Sequence, residues 1–318
     1  MKYRQLGSSG LRVSEVALGG WLTQGRTIDD ATTESIVRSA FDLGVVFFDT
    51  ADIYNKGEAE IAMGKAIKNL RRKDIVVATK CFFPMSDNPN DRGLGRKHVI
   101  ESVHASLRRL QLDYVDIFQY HRYDESVPME ELVRTMDDTV RQGKALYWGV
   151  SEWPVSRIVE ACHVARQLGC CLPISNQPQY NMLNRYIEPE ILPTCVRYGM
   201  GQVVFSPLAQ GVLTGKYKPG EAAPKGTRGA DDKSNQFMQG WMGDETLSRV
   251  QALAELASRF GCTLGQFALA WCLRRPGVSS VIVGATKVEQ IEQNVAASEL
   301  DVPDAAWADA DRILGIEP

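Results

Sequence analysis

Four histidines and seven cysteines are all that the 318 residues offer a metal ion or a redox couple. His98, His104, His121 and His163 show no paired ligand spacing, so no metal centre is expected. No two cysteines stand as CxxC, and Cys170 and Cys171 are adjacent, which is poor geometry for a mutual disulfide. Reduced thiols of a cytosolic protein are the expectation. Apolar runs are short as well, and none reaches the ~18 residues that suggest a membrane span. The N-terminal MKYRQLG lacks the apolar centre of a signal peptide. The chain therefore reads as cytoplasmic, without membrane insertion. Charge of one sign is scarce too. The net charge is −3 and no basic run exceeds Arg71-Arg72-Lys73, which argues against a nucleic-acid partner.

What the sequence does contain is a regular alternation of strand-like and helix-like segments. A hairpin signal comes first, Tyr3 to Leu6 and Leu11 to Val13 around Gly7-Ser8-Ser9-Gly10, followed by a short strand at Val16–Gly19. Asp29 to Leu43 has helical apolar spacing at Ile36, Val37, Ala40 and Leu43 and stops at Gly44. Further strands are expected at 45–49, 75–80, 114–120, 145–151, 173–177, 202–206 and 279–283. Helices are expected at 58–69, 97–110, 128–142, 154–168, near 188–198, and at 244–260, 263–275, 287–297 and 303–313.

Eight strands with helices between them, and no low-complexity linker, argue for an α/β chain. The count favours a closed (β/α)8 TIM barrel over 1–318 as a single domain, with an N-terminal β-hairpin. The competing Rossmann-type sheet would carry GxGxxG after its first strand, and Gly19-Gly20-Trp21 does not match. Two loops, Cys81 to Arg96 and Pro207 to Gly243, exceed what a βα turn needs. Both follow strands and so belong to the catalytic face of a barrel.

Three consecutive strands end at Asp49, Lys80 and His121, with Tyr54 on the loop after the first. A tyrosine hydroxyl, with an ordinary pKa of about 10, is a poor proton shuttle at neutral pH unless assisted. A lysine ammonium beside it is expected to lower that pKa, and a carboxylate paired with the lysine fixes its position. A histidine can orient a carbonyl and help move the proton. Together the four suit proton delivery to a carbonyl oxygen.

Eight stretches occur in order from one end of the chain to the other: LGSSGLRVSEVALGGW, FDTADIYNKGEAE, VVATK, SLRRLQLDYVDIFQYHR, GKALYWGVSEW, PISNQPQYN, FSPLAQGVLTGKY and VIVGATKVEQIEQN. With them the sequence resembles the aldo-keto reductases, in the branch related to voltage-gated potassium channel β-subunits. The resemblance implies an NADPH-dependent oxidoreductase that reduces aldehydes or ketones to alcohols. It makes Asp49, Tyr54, Lys80 and His121 the catalytic tetrad, with Tyr54 the general acid. The channel β-subunits carry asparagine where this chain has His121, which favours a working reductase. The alternative implied by the same branch is an NADP(H)-binding regulatory subunit that senses redox state.

The resemblance also implies a cofactor set. Gly20, Trp21 and Asp49 belong to it, with Ser151 after the fifth strand and Asn176-Gln177 at the end of the sixth. Phe205 would stack on the nicotinamide, and Ser206, Pro207, Leu208, Gln210, Gly211 and Lys216 would cover the pyrophosphate. Arg228 stands where the branch supplies an arginine. Gly284, Thr286, Lys287, Gln290 and Asn294 would meet the adenosine end at a helix N-terminus. Gln290 replaces the arginine of many relatives. Trp21, Tyr54, Phe82, His121 and Trp153 are expected to line an aromatic pocket for a small carbonyl substrate. A homo-oligomer is compatible with the sequence.

Overall fold

The computed structural model of the chain describes residues 1–232 and 234–316. It opens with an antiparallel hairpin of β1 (Tyr3–Gln5) and β2 (Arg12–Ser14). Eight parallel strands follow: β3 (Val16–Gly19), β4 (Phe47–Asp49), β5 (Val76–Cys81), β6 (Val115–Tyr120), β7 (Ala145–Ser151), β8 (Ser175–Gln177), β9 (Gly201–Val204) and β10 (Val278–Val283). They pair in chain order, and β10 closes the ring on β3. The fold is thus a closed (β/α)8 TIM barrel with an N-terminal hairpin. Outside it lie α1 (Asp30–Asp42), α2 (Glu58–Ile67), α3 (Arg96–Leu110), α4 (Met129–Arg141), α5 (Val155–Leu168), α6 (Ile191–Tyr198), α7 (Asp244–Ser258), α8 (Leu264–Leu273), α9 (Val288–Val295) and α10 (Asp304–Leu314). Among the described residues no helix is long and apolar enough to cross a membrane.

Every residue of β3 to β6 and of β10 is buried, because helices cover one side and the barrel interior the other. That is why these strands read as apolar runs. The two-residue alternation still decides which side each residue faces. Ala17, Phe47, Val76, Ala78, Ile117 and Val203 form the interior cluster, while Phe48, Val77 and Phe118 pack outward under the helices. Asp49 continues the row of Phe47, Lys80 that of Ala78, and His121 that of Ile117. All three therefore stand on the inside at the carboxyl-terminal rim, the catalytic face of this architecture.

The opposite end is stoppered by the hairpin, whose Leu6 and Val13 are fully buried in the interior cluster. Gly7 makes the stopper fit. Its φ is +57°, and a Cβ there would collide with the carbonyl of Gly199, to which Ser8 N–H donates at 2.8 Å. Two expected boundaries differ. β9 stops at Val204 because Ser206 turns into left-handed backbone at φ 53°. The stretch Pro207 to Gly243 is not plain loop but carries short 3-10 turns at Ala209–Thr214, Arg228–Ala230, Asn235–Phe237 and Gln239–Trp241.

Candidate active site

At the rim, the ammonium of fully buried Lys80 gathers three oxygens. It lies 2.7 Å from Asp49 Oδ2, donates to the Thr50 carbonyl at 2.7 Å, and reaches Tyr54 Oη at 3.3 Å. Burial alone would push the ammonium down. The Asp49 carboxylate and the Tyr54 hydroxyl outweigh it and hold Lys80 above its ordinary value, so it stays charged. The second Asp49 oxygen accepts from Gln177 Nε2 at 2.9 Å. The carboxylate is thereby engaged on both sides.

Tyr54 sits on a turn that only outside contacts can hold. Asn55 and Lys56 have φ of 50° and 54°, costly for residues other than glycine. Asn55 donates to the Gly25 carbonyl and Lys56 Nζ to the Pro84 carbonyl at 2.6 Å, which pins the turn. The Tyr54 hydroxyl does not titrate as the lysine alone suggests. Burial raises its pKa, Lys80 lowers it, Asp49 raises it again, and the net direction is up. The expected lowering is therefore corrected: the phenol keeps its proton at neutral pH. The cation beside it is the one Asp49 fixes.

His121 completes the group. Its ring lies 5.7 Å from that of Tyr54 at 77° and 5.0 Å from that of Phe83. Burial, then the charges of Lys80 and Arg122, lowers its pKa well below the ordinary value, so the imidazole is neutral. Its Nδ1 is buried and has no hydrogen-bond partner among the described residues. The site thus presents a neutral phenol and a neutral imidazole around one buried ion pair.

The structure sorts the remaining expected residues. Strand alternation turns Asn176 away from the interior, where its Nδ2 donates to Gln202 Oε1 at 2.9 Å, and leaves only Gln177 at the site. Ser151 Oγ donates to the Gln177 carbonyl at 2.8 Å and so supports that side chain from below. Gly20 N–H donates to the Asp49 carbonyl at 2.9 Å. Trp153 lies deep beneath the rim. It is 1 % exposed and stacks on Tyr120 at 6.0 Å. Phe82 likewise packs toward the core and against Phe83, and Phe83 is the ring that faces His121.

The long segment after β9 folds over Trp21. Phe237 meets the Trp21 ring edge-on at 4.9 Å, and the Arg228 guanidinium lies 5.7 Å from its centroid. Arg228 also donates to Gln210 Oε1, and Gln210 Nε2 to Ser206 Oγ. Phe205 is half-buried against the interior cluster, and Pro207 and Leu208 lead from it into the turn. Ser206, Ala209, Gln210 and Gly211 all adopt left-handed φ, and Lys216 Nζ lies beside Gly211. The N–H groups of Ala209 and Gly211 are used within the turn, donating to the Ser206 carbonyl at 2.9 Å and the Leu208 carbonyl at 2.8 Å. Across the rim, Gly284 is open to solvent, Lys287 is the exposed N-cap of α9, and no side chain caps that helix. Gln290 Oε1 accepts from Thr286 N–H at 2.7 Å and so ties down the turn. Asn294 is buried on α9.

Sequence reasoning missed one buried feature. Glu60, fully buried, accepts from Thr79 Oγ1 at 2.5 Å and from Arg109 Nε at 2.6 Å. Beside it Asp52, also fully buried, has no hydrogen-bond partner for either carboxylate oxygen among the described residues. The signal was an acid on the apolar face of α2, between Ala59 and Met63. Burial first, and the Glu60 charge second, raises the Asp52 pKa well above the ordinary value. An acid held neutral in the fold, but free to ionise in the unfolded chain above about pH 4, costs stability as pH rises through that value. Asp52→Asn is therefore expected to match the parent in denaturant midpoint near pH 4 and to exceed it at pH 7. Equal differences at both pH values would contradict a protonated Asp52.

The sequence profile of the aldo/keto reductase family matches residues 15–314. The chain belongs to that family. Membership in the aldo/keto reductases implies oxidoreduction dependent on a nicotinamide cofactor. Among curated relatives, the chain is 45% identical over 305 residues to a protein of Oryza sativa subsp. japonica named "Probable voltage-gated potassium channel subunit beta". That alignment covers 95% of this chain and 92% of the rice protein. An Arabidopsis thaliana protein of the same name is 45% identical over 303 residues, covering 94% and 92%. A Schizosaccharomyces pombe protein, also named as a channel subunit beta, is 46% identical over 304 residues, covering 93% and 88%.

Proposed function

We propose that the chain is an NADPH-dependent reductase of aldehydes and ketones in which Tyr54 gives its proton to the carbonyl oxygen. The observation that carries this reading is the neutral phenol at 3.3 Å from a charged, buried ammonium that Asp49 fixes. Lys80 stabilises the phenolate that forms as the proton leaves. Asp49, held by Gln177, keeps Lys80 in place and charged. His121, neutral, donates to or accepts from the same oxygen without adding charge. The bound cofactor supplies the hydride. Phe83 and Trp21 exclude water from the rim.

The residues present fit such a cofactor. The Lys216 ammonium beside Gly211 suits a pyrophosphate, and the Arg228 guanidinium and Trp21 flank that turn. Gln177 and Ser151 stand at the nicotinamide end, and Thr286, Lys287 and Asn294 at the adenosine end. Lys287 is the only Lys or Arg between Gly284 and Asn294. A charge-assisted contact to a 2′-phosphate is worth roughly 1.5–3 kcal/mol, about ten- to a hundredfold in affinity. NADPH should bind more tightly than NADH by that factor, and Lys287→Ala should remove most of the preference while leaving NADH affinity alone. Titration of both variants with both nucleotides checks it; equal weakening of both would contradict the assignment.

A second reading is a nucleotide-binding regulatory subunit, favoured by the names of the relatives. His121 stands against it, since it supplies the neutral imidazole that a reductase uses. NADPH consumption with 4-nitrobenzaldehyde or methylglyoxal separates the two: turnover supports the reductase, and nucleotide binding without turnover the subunit.

A further inference from the structure

We propose that Arg122 is an anion receptor at the rim of this site, and that the best substrates are carbonyl compounds carrying a carboxylate. The proposal rests on the reductase reading above and narrows its substrate class. Arg122 follows His121 directly and is half-buried. Its Nη1 donates to the His121 carbonyl at 2.6 Å, and its guanidinium lies 5.6 Å from the centroid of Phe83. Phe83 in turn stands 5.0 Å from the His121 ring. The guanidinium is therefore fixed against two groups that border the reacting oxygen. Its charge reaches both Tyr54 and His121, where it favours the deprotonated form of each.

Other half-buried arginines are neutralised, Arg228 excepted, which donates to Gln210. Arg4 pairs with Glu15, Arg72 with Asp116 and Arg109 with Glu60. Among the described residues no carboxylate forms an ion pair with Arg122. The acid of the neighbouring loop, Glu152, is engaged elsewhere: its Oε1 accepts from Gln179 N–H at 2.6 Å and from the Tyr186 hydroxyl at 2.8 Å. A guanidinium partly withdrawn from water, with no carboxylate of its own, is a forked receptor for one. Phe83 neighbours both, 5.6 Å from the guanidinium and 5.0 Å from the His121 ring. A substrate whose carboxylate is one aromatic ring away from its carbonyl carbon spans the two, lying along the Phe83 face.

The test compares 4-carboxybenzaldehyde with its methyl ester, both reduced by the NADPH-loaded enzyme. The acid should have the higher kcat/KM by about tenfold or more, through KM, as one charge-assisted contact predicts. Arg122→Gln should reduce the acid-to-ester ratio by at least that factor, and Arg122→Lys should retain part of it. A wild-type ratio near or below one overturns the proposal, and so does a ratio that Arg122→Gln leaves unchanged. Reduction of the ester alone would overturn this proposal and leave the reductase reading standing. Reduction of neither compound, nor of 4-nitrobenzaldehyde, would overturn both.

Discussion

Tyr54→Phe is expected to lower kcat by about two to four orders of magnitude, the range that a positioned general acid contributes. NADPH affinity should stay within a fewfold of the parent. The two expectations separate because the side chain has two parts. The ring packs edge-on to His121 at 5.7 Å, and phenylalanine keeps that contact. The hydroxyl alone faces Lys80 at 3.3 Å, and only it can carry the proton. Because burial holds the phenol neutral, the proton is present across the whole neutral range, and the parent rate should not fall between pH 6 and pH 8 through loss of this group. Steady-state rates together with a fluorescence titration of the nucleotide give both quantities. Turnover within tenfold of the parent would remove Tyr54 from the role of donor.

Lys80→Met should have the second large effect, on two properties at once. It leaves the Asp49 carboxylate buried at 2 % exposure with Gln177 as its one remaining side-chain partner. Breaking a buried pair from one side costs roughly 3–5 kcal/mol, so the denaturation midpoint should drop sharply. Activity should fall too, and the pH at which Tyr54 ionises should rise, since the pull of the neighbouring cation is gone. Adding Asp49→Asn to Lys80→Met removes the stranded charge. The double variant is expected to regain stability but not turnover. Recovery of both would make the pair structural only, and an unchanged midpoint in the single variant would mean that no buried charge was stranded.

Much of this was legible in the sequence, for a specific reason. Apolar runs that stop at Asp49, Lys80 and His121 place those residues at strand ends, and the parity of each strand then sends all three inward. Parity was not legible where the strand end itself was uncertain. Asn176 and Gln177 are adjacent, and only the pairing of Ser175 with Gly149 and Gly201 decides that Gln177 faces the site. Phe82 and Phe83 differ in the same way. That Tyr120 and Tyr123 pack on Trp153 at 6.0 and 5.0 Å was likewise not legible, since the three meet only in the fold. The direction of the Tyr54 shift was misjudged because a sequence shows the neighbouring lysine but not the burial that outweighs it. The contact of Phe237 with Trp21 joins residues far apart in the chain, and no local pattern announces it.

The central claim is direct reduction of a carbonyl at the site bounded by Tyr54, Lys80 and His121. It is tested most directly by incubating the protein with 4-nitrobenzaldehyde and NADPH deuterated at the transferable position, then weighing the alcohol by mass spectrometry. The account predicts 4-nitrobenzyl alcohol with one deuterium on its carbinol carbon, formed catalytically by the parent and not by Tyr54→Phe. Nucleotide bound stoichiometrically with no deuterated alcohol, or the same yield from Tyr54→Phe as from the parent, would contradict it.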